Sequence, residues 1–281
     1  MAWKWGKVLG KEQPFILTIN LEFMSIVAIA MQKGGSGKTT TAINLAAALQ
    51  QKGKKVLLVD ADPQANLTQS LGIMEEPDEN LYTELKKVIA GEDSTLEKVI
   101  LQTQTGLSLV PASIELASSE LELVSVYGRE KVFTWMLENV AKKYDYVFID
   151  CPPAIGMLTV NALVTSDFVL LPLQAEFLPF KGLQSFMRSF QMIKKQLNPS
   201  LKILGYILTK YDPRKTMTRR VQDQLGESFG EQVFETHIRS NIALAQAQEK
   251  GIDIFSYDKK CNGAKDYQQL SSEFLEKINQ G

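Results

Sequence analysis

The feature that most constrains this chain is the glycine-rich segment 33–40, which reads KGGSGKTT. In phosphate-binding loops, glycines let backbone N–H groups crowd around phosphate oxygens, a lysine contacts the β- and γ-phosphates, and a following hydroxyl binds Mg²⁺. Lys38 and Thr39 stand where such a loop needs them, although the first glycine of the ordinary G-x-x-x-x-G-K-[ST] pattern would fall on Gln32. The segment therefore predicts a phosphate loop of unusual spacing, opened by an additional cation, Lys33.

The sequence on either side agrees with this interpretation. Residues 26–31 form a short apolar run, as a buried parallel strand does, and residues 40–51 carry apolar side chains at helical spacing before Gly53. Strand, loop and helix in this order direct a helix N-terminus at bound phosphates. The predicted nucleotide-binding residues of the loop are Lys33, Gly34, Gly35, Ser36, Gly37, Lys38, Thr39 and Thr40.

Further apolar runs recur along the chain, separated by stretches with helical periodicity. This alternation predicts βαβ units, and hence a mostly parallel, twisted sheet with helices on both faces. We therefore expect an α/β fold, a single P-loop NTPase domain, with its ligand site beyond the carboxyl ends of the strands. The predicted strands are 26–31, 55–60, 107–111, 144–150, 168–173 and 203–209, with amphipathic helices at 114–123 and 131–141.

Three aspartates follow the ends of predicted strands: Asp60, Asp62 and Asp150. Mg²⁺ prefers oxygen ligands and keeps several waters, so Thr39 is a candidate direct ligand and Asp150 a candidate for holding a metal-bound water. Asp60 could contact the coordination shell of the metal ion. Asp62 could orient the attacking water, because a carboxylate is too weak a base at neutral pH to remove its proton outright. The alternative for Asp150 is a solvated acid at the end of a strand with no metal role. The alternative for Asp62 is a structural role in capping the turn.

Composition and charge limit the other functions. The net charge is −1, so binding to nucleic acid would have to come from a local basic patch. Two cysteines without C-x-x-C spacing indicate a reducing cytosol. The interrupted apolar stretch within residues 1–23 is too short to span a membrane. We expect 1–23 to be an N-terminal extension or a mis-called start, and 24–281 to be the ATPase-like domain, with Met24 as the natural start.

Five motifs together resemble the ParA/Soj partition ATPases, relatives of MinD, over residues 24–278. The resemblance implies an ATPase that uses Mg²⁺ and dimerises around two ATP molecules. It implies that Lys33 reaches the partner's nucleotide, Lys38 contacts phosphate and Thr39 binds the metal. It further implies that Asp62 positions water and Asp150 acts on the metal through water. The motifs are KGGSGKTT at 33–40, VDADPQAN at 59–66, FIDCPP at 148–153, LPLQAE at 171–176 and GAKDY at 263–267.

Electrostatics agrees with the role that the resemblance implies for Lys33. Two triphosphates facing each other across an interface repel strongly in a low dielectric, and a cation donated by the partner relieves that repulsion. Dimerisation would then depend on the nucleotide, closing with ATP and weakening after hydrolysis. The alternative is an incidental surface lysine.

The recognition of the base is less defined by the sequence. The TKYD segment at 209–212 looks like the T-K-x-D base-reading motif of GTPases, which makes Tyr211 and Asp212 candidate base contacts. The resemblance implies adenine, whereas the sequence alone leaves guanine open. At the position where many relatives carry proline, this chain has Arg239.

The resemblance also implies non-specific DNA binding by the ATP-bound dimer. One basic cluster lies near the N-terminus of a helix predicted from residue 217, where the helix dipole disfavours cations, and this placement points to phosphate binding. An equal alternative is that these cations only form a solvated surface of the helix. Lys194, Lys195 and Arg239 are competing candidates for the DNA contact. The cluster consists of Arg214, Lys215, Arg219 and Arg220.

Other classes of protein remain as alternatives. A membrane-attached MinD-like ATPase would need a basic amphipathic tail, but residues 270–281 carry Glu273 and Glu276 against Lys277 alone. An iron–sulfur carrier would need Cys151 and Cys261 to share a cluster between subunits. A non-catalytic scaffold would bind nucleotide without turnover. The expected function is cytoplasmic, nucleoid-associated positioning of plasmid or chromosome with a ParB-like partner, or of a protein cargo such as carboxysomes or chemoreceptor clusters.

Overall fold

The computed structural model describes residues 24–175 and 180–280. Its centre is a seven-stranded sheet in the order β3-β4-β2-β5-β1-β6-β7. All neighbouring strands are parallel except β3, which pairs antiparallel with β4. The strands are β1 (Ser25–Ile29), β2 (Val56–Asp60), β3 (Leu101–Gln102), β4 (Ser108–Val110), β5 (Tyr146–Asp150), β6 (Phe168–Gln174) and β7 (Lys202–Thr209).

Helices cover both faces of the sheet, and each face carries its own hydrophobic cluster. Along β1, Ile26 and Ala28 join one cluster while Val27 and Ile29 join the other. Burial on both faces explains why the strands read as continuous apolar runs and confirms the predicted α/β class. The helices are α1 (Lys38–Gln51), α2 (Asn66–Ser70), α3 (Leu81–Ile89), α4 (Leu96–Val99), α5 (Ser119–Glu122), α6 (Val132–Leu137), α7 (Met157–Thr165), α8 (Phe180–Gln196), α9 (Thr216–Phe229), α10 (Ile242–Glu249), α11 (Ile254–Asp258) and α12 (Asn262–Gln280).

Two predicted helices are less regular than expected. The segment predicted at 114–123 folds as a 3₁₀ turn, the four-residue α5 and a second 3₁₀ turn. The hydroxyl of Ser119 donates to the carbonyl of Leu116 at 2.6 Å, and such local bonds compete with the helical pattern. The helix predicted at 131–141 is regular only in α6. Strand β3 has two residues, which is too short to show a periodicity.

The predicted extension 1–23 lies outside the described residues, so the boundary at residue 24 stays a prediction. Within the described part of the chain, no helix has both the length and the apolar character needed to cross a membrane.

Candidate nucleotide site

The glycine-rich loop connects β1 to α1 at the carboxyl edge of the sheet. Gly35 and Gly37 have φ angles of 72° and 93°, which L side chains rarely adopt. A side chain on Gly37 would also come within 3.3 Å of Thr209. The Thr209 hydroxyl donates to the carbonyl of Ser36 at 2.8 Å, and the Gln174 amide donates to the carbonyl of Gly35 at 2.5 Å. Because these glycines have no side chains, Gln174 and Thr209 of two other strands can approach the loop and hold it by hydrogen bonds.

Sequence reasoning missed the contribution of Gln174 and Thr209. Each is the last residue of its strand, β6 and β7, and each lies at the sheet edge where the ligand site was expected. Their position at the strand ends was the signal that could have identified them. The hydroxyl of Ser36 is buried without a hydrogen-bond partner among the described residues, and it is available to a ligand.

Thr39 and Asp150 meet at the bottom of the loop. The Thr39 hydroxyl donates to Oδ2 of Asp150 at 2.6 Å, while Oδ1 of the fully buried Asp150 has no partner in the described part of the chain. A hydroxyl and an unsatisfied carboxylate oxygen are the hard oxygen donors that Mg²⁺ prefers. The residues present therefore fit a magnesium ion, with Thr39 as ligand and Asp150 able to accept from a metal-bound water. Lys38 is also buried, as the first residue of α1.

Asp60 has a different environment from the one expected. Its Oδ2 accepts hydrogen bonds from both the backbone N–H and the hydroxyl of Thr68, at 2.8 and 2.7 Å, and its Oδ1 accepts from the backbone N–H of Asp62 at 3.2 Å. Because protein donors engage both oxygens, the structure gives no support to the predicted metal contact of Asp60. The carboxylate instead holds the turn that carries Asp62.

Asp62 lies in this turn and is 8 % exposed. Its Oδ1 accepts from the backbone N–H of Gln64 at 3.0 Å, and Ala65 takes a left-handed conformation with φ of 51°. One oxygen thus caps the turn, as the alternative interpretation expected. This contact fixes the carboxylate in place, which a water-positioning residue also requires.

Burial changes the acid–base properties of the two strand-end carboxyls. Removal from water raises the pKa of Asp60 to about 7, against the lowering effect of the Thr68 hydrogen bonds. Removal from water and the neighbouring Asp60 charge together raise the pKa of Asp150 to about 8, against the lowering effects of the Thr39 hydrogen bond and Lys38. In the absence of a ligand, the carboxyls of Asp60 and Asp150 are therefore mostly protonated below about pH 7.

The elevated pKa values predict a pH-dependent stability. Between the ordinary carboxyl pKa near 3.8 and the folded values, the folded state keeps protons that the unfolded chain loses, so the free energy of unfolding falls as pH rises from about 4 to about 8. The measurement is made with a chelator and without nucleotide. Asp150→Asn should make the slope of the free energy of unfolding against pH less steep by about 1 kcal/mol per pH unit between about pH 5 and 7. Urea unfolding at three pH values measures the slopes. Equal slopes in wild type and variant would contradict the account, and Asp258→Asn, at an exposed position, is the control.

Lys33 is half-buried beside the loop. Its backbone N–H donates to the carbonyl of Met31 at 2.8 Å, which bends the chain at this point. Among the described residues, its ammonium group has no hydrogen-bond or ion-pair partner. The amine is thus available for a ligand or for a second molecule.

A cavity of about 220 Å³ opens next to the loop, where a base and sugar attached to bound phosphates would extend. One wall comes from the loop and α1, and the other from the segment after β7 and from α10. Its polar groups and its apolar Ile238 and Leu244 suit a base. The lining residues are Gly37, Thr40, Thr209, Lys210, Ile238, Arg239, Ser240, Asn241, Leu244, Ala245, Gln248 and Tyr267.

The structure does not bring Tyr211 and Asp212 to this cavity. Lys210 has a φ of 50°, and after it the ring of Tyr211 stacks on His237 with centroids 4.4 Å apart. Arg214 makes a two-point ion pair with the carboxylate of Asp212, at 2.9 Å for both bonds. That carboxylate is not free to accept hydrogen bonds from a guanine, so the GTPase-like interpretation of TKYD has no support here. Within the TKYD segment, Thr209 and Lys210 line the cavity instead.

The four cations proposed for DNA are all exposed. Helix α9 begins at Thr216, one residue before the predicted start, and places Arg219 and Arg220 in its first turns. Arg219 donates to the carbonyl of Pro213 at 2.9 Å. The cluster therefore forms one exposed basic surface at the start of α9.

The cysteines do not form a shared cluster site. Cys151 is fully buried behind Asp150, and Cys261 is half-buried near the start of α12. Within the described residues, no group of three or more His, Cys, Asp and Glu side chains could hold a metal ion. A cluster bridging two subunits requires surface cysteines, so the iron–sulfur alternative loses its structural basis.

A parallel sheet, a glycine loop leading into a helix, and a Thr39–Asp150 pair beneath it define a P-loop nucleoside triphosphatase. A family model described as an AAA domain matches residues 24–203. The sporulation initiation inhibitor protein Soj of Bacillus subtilis is 39% identical, over 88% of this chain and 97% of Soj. The chromosome partitioning protein ParA of Caulobacter vibrioides is also 39% identical, over 90% of this chain and 94% of that protein. The chain belongs to the ParA/Soj family of P-loop ATPases.

A solved structure agrees with this assignment. Cobyrinic acid a,c-diamide synthase from Mycobacterium smegmatis is 34% identical with a TM-score of 0.77, over 92% of this chain and 96% of that one. That protein has been solved with ADP and magnesium, and with an ATP analogue and magnesium.

Proposed function

We propose that this ATPase binds Mg²⁺ and ATP at the described site and hydrolyses ATP to ADP and phosphate. The observation that carries the proposal is the Thr39–Asp150 pair beneath the glycine loop, where Oδ1 of Asp150 has no partner among the described residues, together with the cavity of about 220 Å³ beside that loop. The magnesium ion neutralises phosphate charge when bound. Lys38 contacts the phosphates, and Asp62 positions the attacking water.

The proposal extends to a cycle of assembly. Two ATP-bound copies pair, and Lys33 of each reaches the nucleotide of the other. The amine of Lys33, which has no partner within the described part of the chain, and the relatives named ParA and Soj support this pairing. The pair binds DNA without sequence preference and so associates with the nucleoid in the cytoplasm. A ParB-like or cargo-adaptor protein stimulates hydrolysis, and the resulting ADP form separates and leaves the DNA.

Steady-state release of phosphate from Mg²⁺-ATP, with and without non-specific duplex DNA, tests the proposed activity. We expect measurable release that DNA increases. No release under either condition would favour a scaffold that binds nucleotide without turnover. A genomic neighbour encoding a small protein with a basic N-terminus would support the ParB-like partner, and its absence would favour a protein cargo.

The basic surface at the start of α9 predicts the DNA contacts. Reversing two of its charges with Arg219→Glu and Arg220→Glu should weaken DNA binding of the ATP form by about tenfold or more and reduce the steepness of its salt dependence, since each lost phosphate contact lowers the slope by about one. Fluorescence anisotropy with labelled duplexes over a salt series measures both quantities. In a dimer, each substitution acts twice.

The control reverses two cations elsewhere, with Lys194→Glu and Lys195→Glu at the end of α8. This variant should bind DNA nearly as the wild type does. If it loses more affinity than the α9 variant, the DNA surface lies at the end of α8 and the assignment to α9 is wrong.

Helix α12 offers little to a membrane. Glu273 accepts hydrogen bonds from the backbone N–H groups of Glu235 and Thr236, and Lys277 donates to the carbonyl of Glu231. Because these charges hold the helix against the protein body, we propose a function without membrane attachment. Co-sedimentation with anionic vesicles in the presence of ATP would contradict this.

A further inference from the structure

The start of α12 carries the GAKDY motif at 263–267, for which the proposed function gives no role. Asp266 is buried and reaches the segment that follows β7. Its Oδ2 accepts from the backbone N–H of Arg239 at 2.9 Å and from Nε of the same arginine at 3.1 Å, and its Oδ1 accepts from Nε and Nη2 at 3.0 and 2.5 Å. One carboxylate thus fixes both the backbone and the side chain of Arg239, which lines the cavity.

The neighbouring motif residues contact other parts of the same cavity. The ring of Tyr267 lines it, and its hydroxyl lies 3.3 Å from the hydroxyl of Thr41 in α1. Gly263 packs against Leu244, since a side chain added there would approach three of its carbons within 3.0–3.3 Å. The motif therefore touches the α1 wall and the opposite wall from one helix.

We propose that Asp266 and Tyr267 are positioning residues that set the separation of the two walls of the nucleotide cavity, and thereby the affinity for the base and sugar of the nucleotide. The inference rests on the proposed function and adds a role for the C-terminal helix in it. Neither residue lies at the glycine loop where hydrolysis takes place. Their loss acts on nucleotide affinity and leaves the chemical step in place.

A comparison within α12 distinguishes this role from general stability. Glu273, two turns further along the helix, accepts the backbone N–H groups of Glu235 and Thr236 at 2.7 and 2.9 Å. It makes the same kind of tie between α12 and the chain after β7, but Glu235 and Thr236 do not line the cavity, whereas Arg239 does. Substitution of either carboxylate weakens the attachment of α12, whereas only Asp266 holds a cavity wall.

The experiment compares Asp266→Asn, Tyr267→Phe and Glu273→Gln with the wild type in the full chain. Calorimetric titration with ADP and Mg²⁺ gives the affinities, single-turnover hydrolysis gives the rate at saturating ATP, and urea unfolding gives the stabilities. We expect Asp266→Asn to lose affinity for ADP about tenfold, equivalent to ~1.4 kcal/mol. We expect Tyr267→Phe to lose about threefold, and Glu273→Gln to stay within about twofold.

The rate at saturating ATP should change less than about twofold in all three variants. The inference is overturned if Asp266→Asn binds ADP as tightly as Glu273→Gln does, or if it lowers the saturated rate and leaves the affinity unchanged. Inorganic phosphate as a second ligand, which does not reach the cavity, should bind equally to all variants. A wild type that binds no ADP at all would instead overturn the proposed function.

Discussion

Replacing Asp62 by alanine should lower the single-turnover rate of ATP hydrolysis about 100-fold and leave the affinity for ATP within about threefold. The reason is that a water held in line with the γ-phosphate reacts far faster than one that must find this geometry by diffusion, and poor positioning alone lowers rates by about 10²-fold. Asp62 is nearly buried and fixed by Gln64, and Asp60 holds the turn from below. Rapid-quench measurement of labelled ATP, with enzyme in excess, gives the rate.

Asp258 supplies a matched control for this substitution. Its Oδ1 accepts the backbone N–H of Lys260 at 3.0 Å, the same contact over two residues that Asp62 makes with Gln64. Asp258→Ala removes an equivalent turn contact far along the chain and should hydrolyse ATP at the wild-type rate. If both variants lose activity equally, Asp62 acts through folding and has no role at the reacting water.

Replacing Lys33 by alanine should lower the hydrolysis rate by about 10³-fold and abolish ATP-dependent pairing. A cation supplied in trans to a phosphoryl-transfer site contributes about 10³-fold or more to the rate. It also offsets the repulsion between two facing triphosphates, so its removal opposes assembly. Lys33 is half-buried and its amine has no partner among residues 24–175 and 180–280, which suits it to this task. The rate is measured with protein well above the concentration at which the wild type pairs.

Lys142→Ala is the control, because Lys142 is exposed at the amino-terminal side of β5, on the opposite edge of the sheet from the site. It should pair and hydrolyse as the wild type does. A Lys33→Ala protein that pairs normally while losing activity would show that the amine acts on its own subunit's nucleotide.

The sequence predicted the parallel sheet, because its strands follow a local pattern, whereas the phosphate contacts of the glycine loop stay a prediction. Burial on two faces makes parallel strands continuously apolar, and the carboxyl ends of such strands must share one edge, so Thr39 and Asp150 could be expected to meet. The same reasoning placed Asp60 at the site, but it could not show that Thr68, eight residues later, would take up its carboxylate.

Contacts between distant parts of the chain were beyond the sequence patterns. The cavity depends on Asp266 meeting Arg239 and on Tyr267 meeting helix α1, and the Thr41–Tyr267 contact joins residues 226 positions apart. No periodicity encodes such a pairing. The sequence pattern also did not reveal that the carboxylate of Asp212, a predicted base contact, pairs with Arg214 only two residues away.

The most direct test of the account is the molecular mass of the Asp62→Ala protein, measured by light scattering with Mg²⁺ and ATP. Because hydrolysis is slowed about 100-fold, ATP should hold the protein at twice its chain mass of 31.4 kDa, while ADP leaves single chains. Adding Lys33→Ala should restore single chains in ATP. A protein that stays at 31.4 kDa with saturating ATP, or a double variant that still pairs, would contradict the proposed switch.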